Sequence, residues 1–173
     1  LSRHSKALLG ISGPHVSALP VETLRETCAD FGIINEAEET VAELARAAHS
    51  VQGERDCLLG ILPTIRGIVW KESSGTRAAL DSIRVNAPRP LVQDLDSLPF
   101  PARHLLPNWA YRMPFFGDYS FATVIPTRGC PWPCTFCRAG KVWGRKIRAR
   151  SVESILGEIG SLQREHGIRH LVF

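Results

Sequence analysis

The sequence lacks the features of several specialised protein classes. No apolar stretch among its 173 residues approaches the roughly 18 needed to cross a bilayer, so we expect no transmembrane segment. No signal peptide is visible at its start. Hydrophobic residues make up 44% and charged residues 22%, which excludes a disordered chain and indicates a globular one.

Cysteine is scarce over most of the chain and concentrated in one stretch. Of five cysteines, Cys130, Cys134 and Cys137 fall within eight residues at the spacing C-x3-C-x2-C, whereas Cys28 and Cys57 are isolated and expected to be free and buried. No fourth ligand lies nearby at a finger-like spacing. Three thiolates are too few for a structural zinc or a fully ligated cluster. An iron–sulfur cube held by three would keep one iron open.

The residues around these cysteines predict a loop. Gly129, Pro131 and Pro133 disfavour a regular helix, because proline fixes φ and lacks an N–H donor. The apolar run Phe121–Ile125 just upstream predicts a buried strand, so the loop follows a strand end, where α/β proteins place their sites. Thiolates suit zinc, copper(I) or iron–sulfur clusters. A zinc knuckle and a redox disulfide pair remain open alternatives.

The first half of the chain alternates strand and helix patterns. This alternation predicts an α/β fold with a parallel, doubly wound sheet, followed by a β-hairpin from the runs Arg66–Lys71 and Ser82–Val85. The predicted elements are strands at Ala7–Ile11 and Asp30–Ile34, a helix starting near Pro20, and a helix over Glu38–Val51 that buries Val41, Leu44, Ala45 and Ala48.

The end of the chain predicts one β/α unit. Ser151 is a suitable N-cap and Gly167 a suitable stop for a helix, and Ile168–Phe173 predicts the next strand. The buried stripe of this helix is expected to be Val152, Ile155, Leu156, Ile159 and Leu162. The sequence begins with Leu1 and stops on an apolar run, so we expect an internal piece of a longer protein, inactive by itself.

The cysteine spacing, with Phe136 before the last cysteine, resembles the radical S-adenosylmethionine (SAM) superfamily. The resemblance implies a [4Fe–4S] cluster on Cys130, Cys134 and Cys137. It also implies SAM chelated by the open iron and cleaved reductively to a 5′-deoxyadenosyl radical. The backbone at Phe136 would lie near the adenine. No side chain is assigned as a catalytic residue.

Three further segments resemble the cobalamin-binding subgroup of that superfamily. The stretches Gly10–Leu24 and Asp30–Leu44 are similar to the last third of a cobalamin-binding domain, which implies that Ser12 and Gly13 line the pocket for the nucleotide tail. Asn35 and Ala37 replace glycines of the family's acidic turn; asparagine tolerates a left-handed backbone better than alanine. The stretch Asp94–Arg103 resembles the connector between cobalamin domain and barrel.

These resemblances imply a domain order. Residues 1–86 would be the C-terminal portion of a Rossmann-like cobalamin-binding domain with its hairpin. Residues 87–120 would be a proline-rich interdomain linker. Residues 121–173 would begin a radical SAM barrel, so the fold class is α/β with a partial TIM barrel.

The implied function is that of a cobalamin-dependent radical SAM enzyme that methylates an unactivated carbon. The expected partners are a small-molecule substrate, such as a lipid, a tetrapyrrole or another secondary metabolite, and a reductant such as flavodoxin or ferredoxin. Clustered thiols indicate a reducing compartment, hence the cytoplasm. One alternative is a radical SAM cyclase or oxidoreductase acting on a tetrapyrrole.

A different class of function comes from the basic run after the cysteines. A zinc- or cluster-bearing module could use it to bind nucleic acid. We favour a solvated face, or positive charge beside an anionic cluster and an anionic substrate, and expect no nucleic acid. The run comprises Arg138, Lys141, Arg145, Lys146, Arg148 and Arg150.

Overall fold

The computed structural model describes residues 7–72, 82–112 and 119–173. The chain forms two compact units. The first unit comprises Leu1–Leu91 with Cys130–Arg145, and the second comprises Val92–Gly129 with Lys146–Phe173. Each unit has its own hydrophobic core.

The described residues form short strands and mostly short helices. The strands are β1 (Gly10–Ser12), β2 (Phe31–Ile33), β3 (Ile68–Lys71), β4 (Ile83–Val85), β5 (Phe121–Thr123), β6 (Thr127–Arg128), β7 (Arg148–Ala149) and β8 (His170–Val172). The α-helices are α1 (Pro14–Ala18), α2 (Pro20–Glu26), α3 (Glu38–Ser50), α4 (Arg55–Ile61), α5 (Ala139–Val142) and α6 (Val152–His166). None of the helices in these ranges is both long and apolar enough to span a membrane.

The first unit is built on a mixed sheet in the order β1-β2-β3-β4. Strands β1 and β2 are parallel, as predicted, and α1 and α2 connect them. Strand β3 is antiparallel to β2 and to β4, so the parallel portion covers part of the sheet. The β3–β4 pair confirms the predicted hairpin strands; residues 73–81 of that prediction lie outside the described residues.

Helix α3 confirms the predicted helix, but the predicted buried face is partly wrong. Val41 is 50% exposed and Ala45 is exposed, whereas Thr40 is fully buried and Leu44 packs on the core. Thr40 is buried because its hydroxyl has a partner: Nε of Arg89 donates to it at 2.8 Å. The spacing of apolar residues does not predict that a hydrogen-bonded threonine of this kind is buried.

The second unit contains the predicted β/α unit. Strands β5 and β8 are parallel, and α6 connects them along the chain. The hydroxyl of Ser151 accepts from the amide of Ser154 at 3.1 Å, and Gly167 ends the helix with φ 64°, so both predicted ends are confirmed. Closure of a barrel beyond this unit remains a prediction.

The predicted buried stripe of α6 is partly wrong. Val152 and Leu156 are 65% and 60% exposed. Ile155, Ile159 and Leu162 pack in the core as expected. The helix buries the carboxylate of Glu158 in addition to these apolar residues, because two arginines pair with it.

Within the second unit, part of the predicted linker is fixed on α6. The carboxylate of Asp96 accepts from the amide of Ser151 at 3.0 and 3.1 Å, and the ring of Phe100 lies 5.4 Å from the guanidinium carbon of Arg150. Residues 95–97, 103–105 and 108–110 form single 3₁₀ turns. The boundaries 1–86, 87–120 and 121–173 remain predictions.

Candidate functional site

The candidate site contains a loop whose two ends are joined by a pair of short strands. Strands β6 and β7 pair in antiparallel fashion, with Thr127 opposite Ala149 and Arg128 opposite Arg148. The amide of Arg150 extends the ladder by donating to the carbonyl of Pro126 at 2.9 Å. The two ends of residues 129–147 therefore lie next to each other at the β6–β7 pair. We call these residues the cysteine loop from here on.

Gly129 occupies a position that admits no side chain. Its φ is 98°, a region that residues with a Cβ rarely adopt. A Cβ there would lie 2.1 Å from the carbonyl oxygen of Lys146. The glycine before the first cysteine thus allows the two ends of the loop to approach closely.

Backbone hydrogen bonds shape the loop around the cysteines. The amide of Cys130 donates to the carbonyl of Gly144 at 3.0 Å, and the amide of Cys137 donates to that of Cys134 at 3.2 Å. The guanidinium of Arg145 donates through Nη1 to the carbonyl of Trp132 at 2.6 Å. The segment after α5 therefore holds the segment that carries the first two cysteines.

The three clustered cysteines are free thiols within this loop. Cys130 is half-buried, while Cys134 and Cys137 are exposed. Across the described ranges, no three His, Cys, Asp or Glu side chains lie close enough together to hold a metal ion. Several irons spread their ligands more widely than one ion, and three thiols on one loop fit the donors that clusters use. Ligation by these cysteines remains a prediction.

Cys28 and Cys57 are free as predicted, but they are exposed and not buried. None of the five thiols, all of which lie in the described ranges, is in a disulfide. The structure thus gives no support to a redox disulfide pair, and a zinc knuckle would need ligands that the loop does not bring together.

Two aromatic side chains of the cysteine loop are strongly exposed. Phe136 is 89% exposed and Trp132 is 72% exposed. Large apolar surfaces in this position are available to a bound molecule. A role for Phe136 beside an adenine remains a prediction.

Ser12 and Gly13 lie at the C-terminal end of β1, where parallel strands commonly present a ligand site. Gly13 has φ 120°, and the space that a Cβ would occupy is open. The backbone conformation alone therefore favours glycine at this position. Contact of Ser12 and Gly13 with cobalamin remains a prediction.

Ser17 connects this turn with the turn after β2. Its hydroxyl donates to the carbonyl of Gly13 at 2.8 Å and accepts from the amide of Asn35 at 2.9 Å. Asn35 has the left-handed conformation expected of it, with φ 67°. Ala37 is right-handed, with φ −97°, so replacing a glycine there causes no strain. The turn after β1 and the turn after β2 thus lie side by side, joined through Ser17, at the edge of the sheet where these two strands end.

Within the first unit, α5 of the cysteine loop packs against α1, the helix that follows Gly13. Val16 of α1 and Val142 of α5 are both buried. The loop that carries the cysteines and the turn that carries Ser12 and Gly13 therefore belong to neighbouring elements of one compact unit.

The basic run is not a continuous solvated face, which corrects our expectation. Arg148 is buried and donates to the carbonyl of Val92. Arg150 pairs with buried Glu158, and Arg145 holds the cysteine loop. Arg138, Lys141, Arg145 and Lys146 are exposed. Half of the run thus has structural partners, and two of these three arginines, Arg148 and Arg150, are largely withdrawn from solvent.

Sequence reasoning did not identify Ser17 or the holding role of Arg145. Both act on backbone groups, which carry no information about residue type. Ser17 stands four residues after Gly13 in a helical register, which is a weak signal. Arg145 gave no signal beyond its charge.

No family model matches the sequence. The chain is 35% identical over 164 residues to an uncharacterized methyltransferase of Pyrococcus horikoshii, covering 94% of this chain and 32% of that protein. It is 27% identical to a cytidylyl-2-hydroxyethylphosphonate methyltransferase of Streptomyces wedmorensis, covering 94% and 33%. It is 26% identical to an anaerobic magnesium-protoporphyrin IX monomethyl ester cyclase of Cereibacter sphaeroides, covering 94% and 24%.

The fold is also found in a solved structure. The radical S-adenosylmethionine methyltransferase TsrM from Kitasatospora setae, with cobalamin and a [4Fe–4S] cluster bound, matches with a TM-score of 0.64 at 17% identity, over 98% of this chain and 31% of that one. The chain thus spans about a third or less of the proteins it matches. The structural match confirms the predicted α/β fold, and the alignments show that the chain resembles two methyltransferases and a cyclase.

Proposed function

We propose that this chain is part of a cobalamin-dependent radical SAM enzyme, and that this enzyme is a methyltransferase. The observation that carries the proposal is the cysteine loop: three free thiols, spaced C-x3-C-x2-C, on one loop with a paired base. The methyltransferases of Pyrococcus horikoshii and Streptomyces wedmorensis align with 94% of the chain, which supports the same activity here.

In this proposal, the thiolates of Cys130, Cys134 and Cys137 hold a [4Fe–4S] cluster. A bound cluster would supply the single electron that cleaves SAM to methionine and a 5′-deoxyadenosyl radical. Gly129 permits the two ends of the cysteine loop to approach closely. The hydrogen bonds within the loop keep the backbone of the cysteines in place. Phe136 presents its backbone to the adenine. The protein thus supplies binding and orientation while the cofactors carry the chemistry.

Ser12 and Gly13 line the place of the cobalamin nucleotide tail in this proposal. Ser17 fixes the carbonyl of Gly13 and the amide of Asn35, so the edge is preorganised. We assign methyl transfer to an unactivated carbon of a small molecule, with electrons from a flavodoxin or ferredoxin. We expect the enzyme in the cytoplasm, because thiols that bind a cluster need a reducing compartment.

A second candidate function is a radical SAM cyclase acting on a tetrapyrrole. The cyclase of Cereibacter sphaeroides aligns with 94% of this chain at 26% identity, which supports it. The 35% identity to the methyltransferase of Pyrococcus horikoshii favours methyl transfer over cyclisation. Nucleic-acid binding is disfavoured because Arg148 and Arg150 are engaged inside the fold.

Anaerobic reconstitution of the native-length protein with iron and sulfide tests the proposal. We expect about four irons and four sulfides per chain, with charge-transfer absorption that dithionite bleaches. Cys134→Ala should lose the cluster, and Cys57→Ala, which removes another exposed thiol, should keep it. One bound zinc on a colourless protein would refute the cluster.

Product analysis then separates the reactions. With SAM and dithionite, the loaded protein should release 5′-deoxyadenosine, and a corrinoid should copurify with it. Formation of a methylated product favours the methyltransferase, whereas ring closure on a tetrapyrrole without methylation favours the cyclase.

A further inference from the structure

Arg145 reaches back across the cysteine loop to the segment between the first two cysteines. Its Nη1 donates to the carbonyl of Trp132, thirteen residues earlier, at 2.6 Å. Two of the three residues between Cys130 and Cys134 are prolines, which have no N–H. That segment therefore has few amides of its own with which to fix its shape, and the guanidinium supplies a donor from outside.

Helix α5 leaves room for this guanidinium. A Cβ on Gly140 would lie 2.9 Å from Nε of Arg145 and 3.1 Å from its Cδ and Cζ. Glycine within a helix is unfavourable relative to alanine. The side chain of Arg145 thus lies directly over Gly140, in a place that alanine would take from it.

We propose that Arg145 is a positioning residue of the cysteine loop and a fixed positive charge beside the group that its thiols bind. The inference rests on the proposed function for the identity of that group. A guanidinium stays protonated at all working pH values. A positive charge at this place favours the reduced, more negative state of a bound cluster, because opposite charges attract.

Four variants distinguish the positioning effect of Arg145 from the effect of its positive charge. Arg145→Gln removes both the charge and the long donor. Gly140→Ala keeps the charge and moves the guanidinium, which can yield because it is the flexible end of a side chain. Lys141→Gln removes a positive charge from α5, the helix that contains Gly140, and leaves the hydrogen bond from Arg145 to Trp132 in place. Arg145→Lys restores the charge.

Gly160→Ala is the matched control for Gly140→Ala. A Cβ on Gly160 would lie 2.7 Å from Nη1 of Arg164, so this variant also displaces an arginine from over a helical glycine. Gly160 and Arg164 both lie on α6, outside the cysteine loop. Any effect common to the two glycine variants is unrelated to the loop.

The first measurement is amide hydrogen exchange of the metal-free protein. Loss of one hydrogen bond should speed exchange in the Cys130–Cys137 segment about fivefold in Arg145→Gln and Gly140→Ala. Lys141→Gln and Gly160→Ala should exchange there like the wild type, and α6 should be unaffected in the two loop variants. Wild-type exchange in both loop variants would overturn the positioning role.

The second measurement is the midpoint potential of the reconstituted protein. Arg145→Gln should make it more negative, and Arg145→Lys should restore most of the change. An unchanged potential in Arg145→Gln would overturn the electrostatic role. If the wild type loads no cluster, the proposed function fails, while hydrogen exchange still tests whether Arg145 positions the loop.

Discussion

Arg103 and Glu158, 55 residues apart in the chain, form an ion pair at 2.8 Å in which Glu158 is 3% exposed. Arg150 contributes a second guanidinium to the same carboxylate, and Arg103 also donates to the carbonyl of Thr123 at 2.7 Å. Arg103 thus ties the segment that resembles the family connector to the end of β5, and Glu158 ties Arg103 to the residue after β7. Strand β7 is one of the two strands that close the cysteine loop.

Replacing Glu158 should destabilise the second unit. Glu158→Gln leaves two guanidinium groups without their buried counter-charge, which typically costs about 3 kcal/mol or more. Urea unfolding of the native-length protein, followed by exchange of the α6 amides, measures the loss. Glu165→Gln removes the same charge from an exposed position on this helix and should change stability by less than about 0.5 kcal/mol. Equal stability of the two variants would contradict the structural role of Glu158.

The N-terminus of α6 should weaken in acid. Hydrogen bonds with Ser151, aided by the charge of Arg150, hold the pKa of Asp96 below its usual value. A lowered pKa in the folded state means that the unfolded chain binds more protons in acid, so the stabilisation is complete above the ordinary aspartate pKa. It is lost as the pH falls through the lowered value.

Asp96→Asn should remove that dependence. We expect the difference in stability between wild type and Asp96→Asn to shrink as the pH falls below the ordinary range of aspartate, as measured by urea unfolding at several pH values. Glu165→Gln, with the same change of charge on the surface, serves as the reference. A difference that stays constant with pH would show that the Asp96 carboxylate does not cap Ser151.

Gly129→Ala should abolish the paired base of the cysteine loop. A Cβ meets the carbonyl oxygen of Lys146 at 2.1 Å, and φ is 98°, so both sterics and backbone conformation oppose it. Gly167→Ala provides the comparison, because φ is 64° but no atom lies within 4 Å of the added carbon. That variant should cost about 1–2 kcal/mol from backbone conformation alone. Gly129→Ala should cost more and lower iron loading; equal effects would refute the close approach.

Gly13→Ala should weaken corrinoid retention if the cobalamin proposal holds. Its φ of 120° disfavours any side chain, and the change would alter the edge that Ser17 connects to Asn35. Gly53→Ala, at another positive φ (75°) with open space around it, is the control. Corrinoid content after anaerobic purification is the readout. Full retention in Gly13→Ala would remove Gly13 from the proposed pocket.

The sequence predicted the elements whose signals are local. Helix α6 has a serine cap, an apolar period and a glycine stop, and all three are present in the structure. The exposed and buried faces were less predictable, because Thr40 and Glu158 are buried by partners that lie 49 and 55 residues away. The short helices α1 and α4 were not predicted, since an apolar period needs more residues than they have.

The candidate site likewise has features that the sequence shows directly and features that depend on the fold. The thiols and Gly13 belong to short motifs that the sequence displays directly. The partners of Arg148 and Arg150 do not, so two arginines assigned to a solvated face are in fact engaged within the second unit. A charge shows its sign in the sequence, but its counter-charge is known only once the chain has folded.

The pairing of β6 with β7 has a consequence for the order of events during synthesis. All three clustered cysteines leave the ribosome before Arg148 and Ala149, so the nascent thiols emerge on an unclosed segment. The ladder forms only after translation has passed β7. We therefore expect iron insertion to follow completion of this hairpin and not to nucleate it, and a ribosome-stalled chain ending before Arg148 should acquire no cluster.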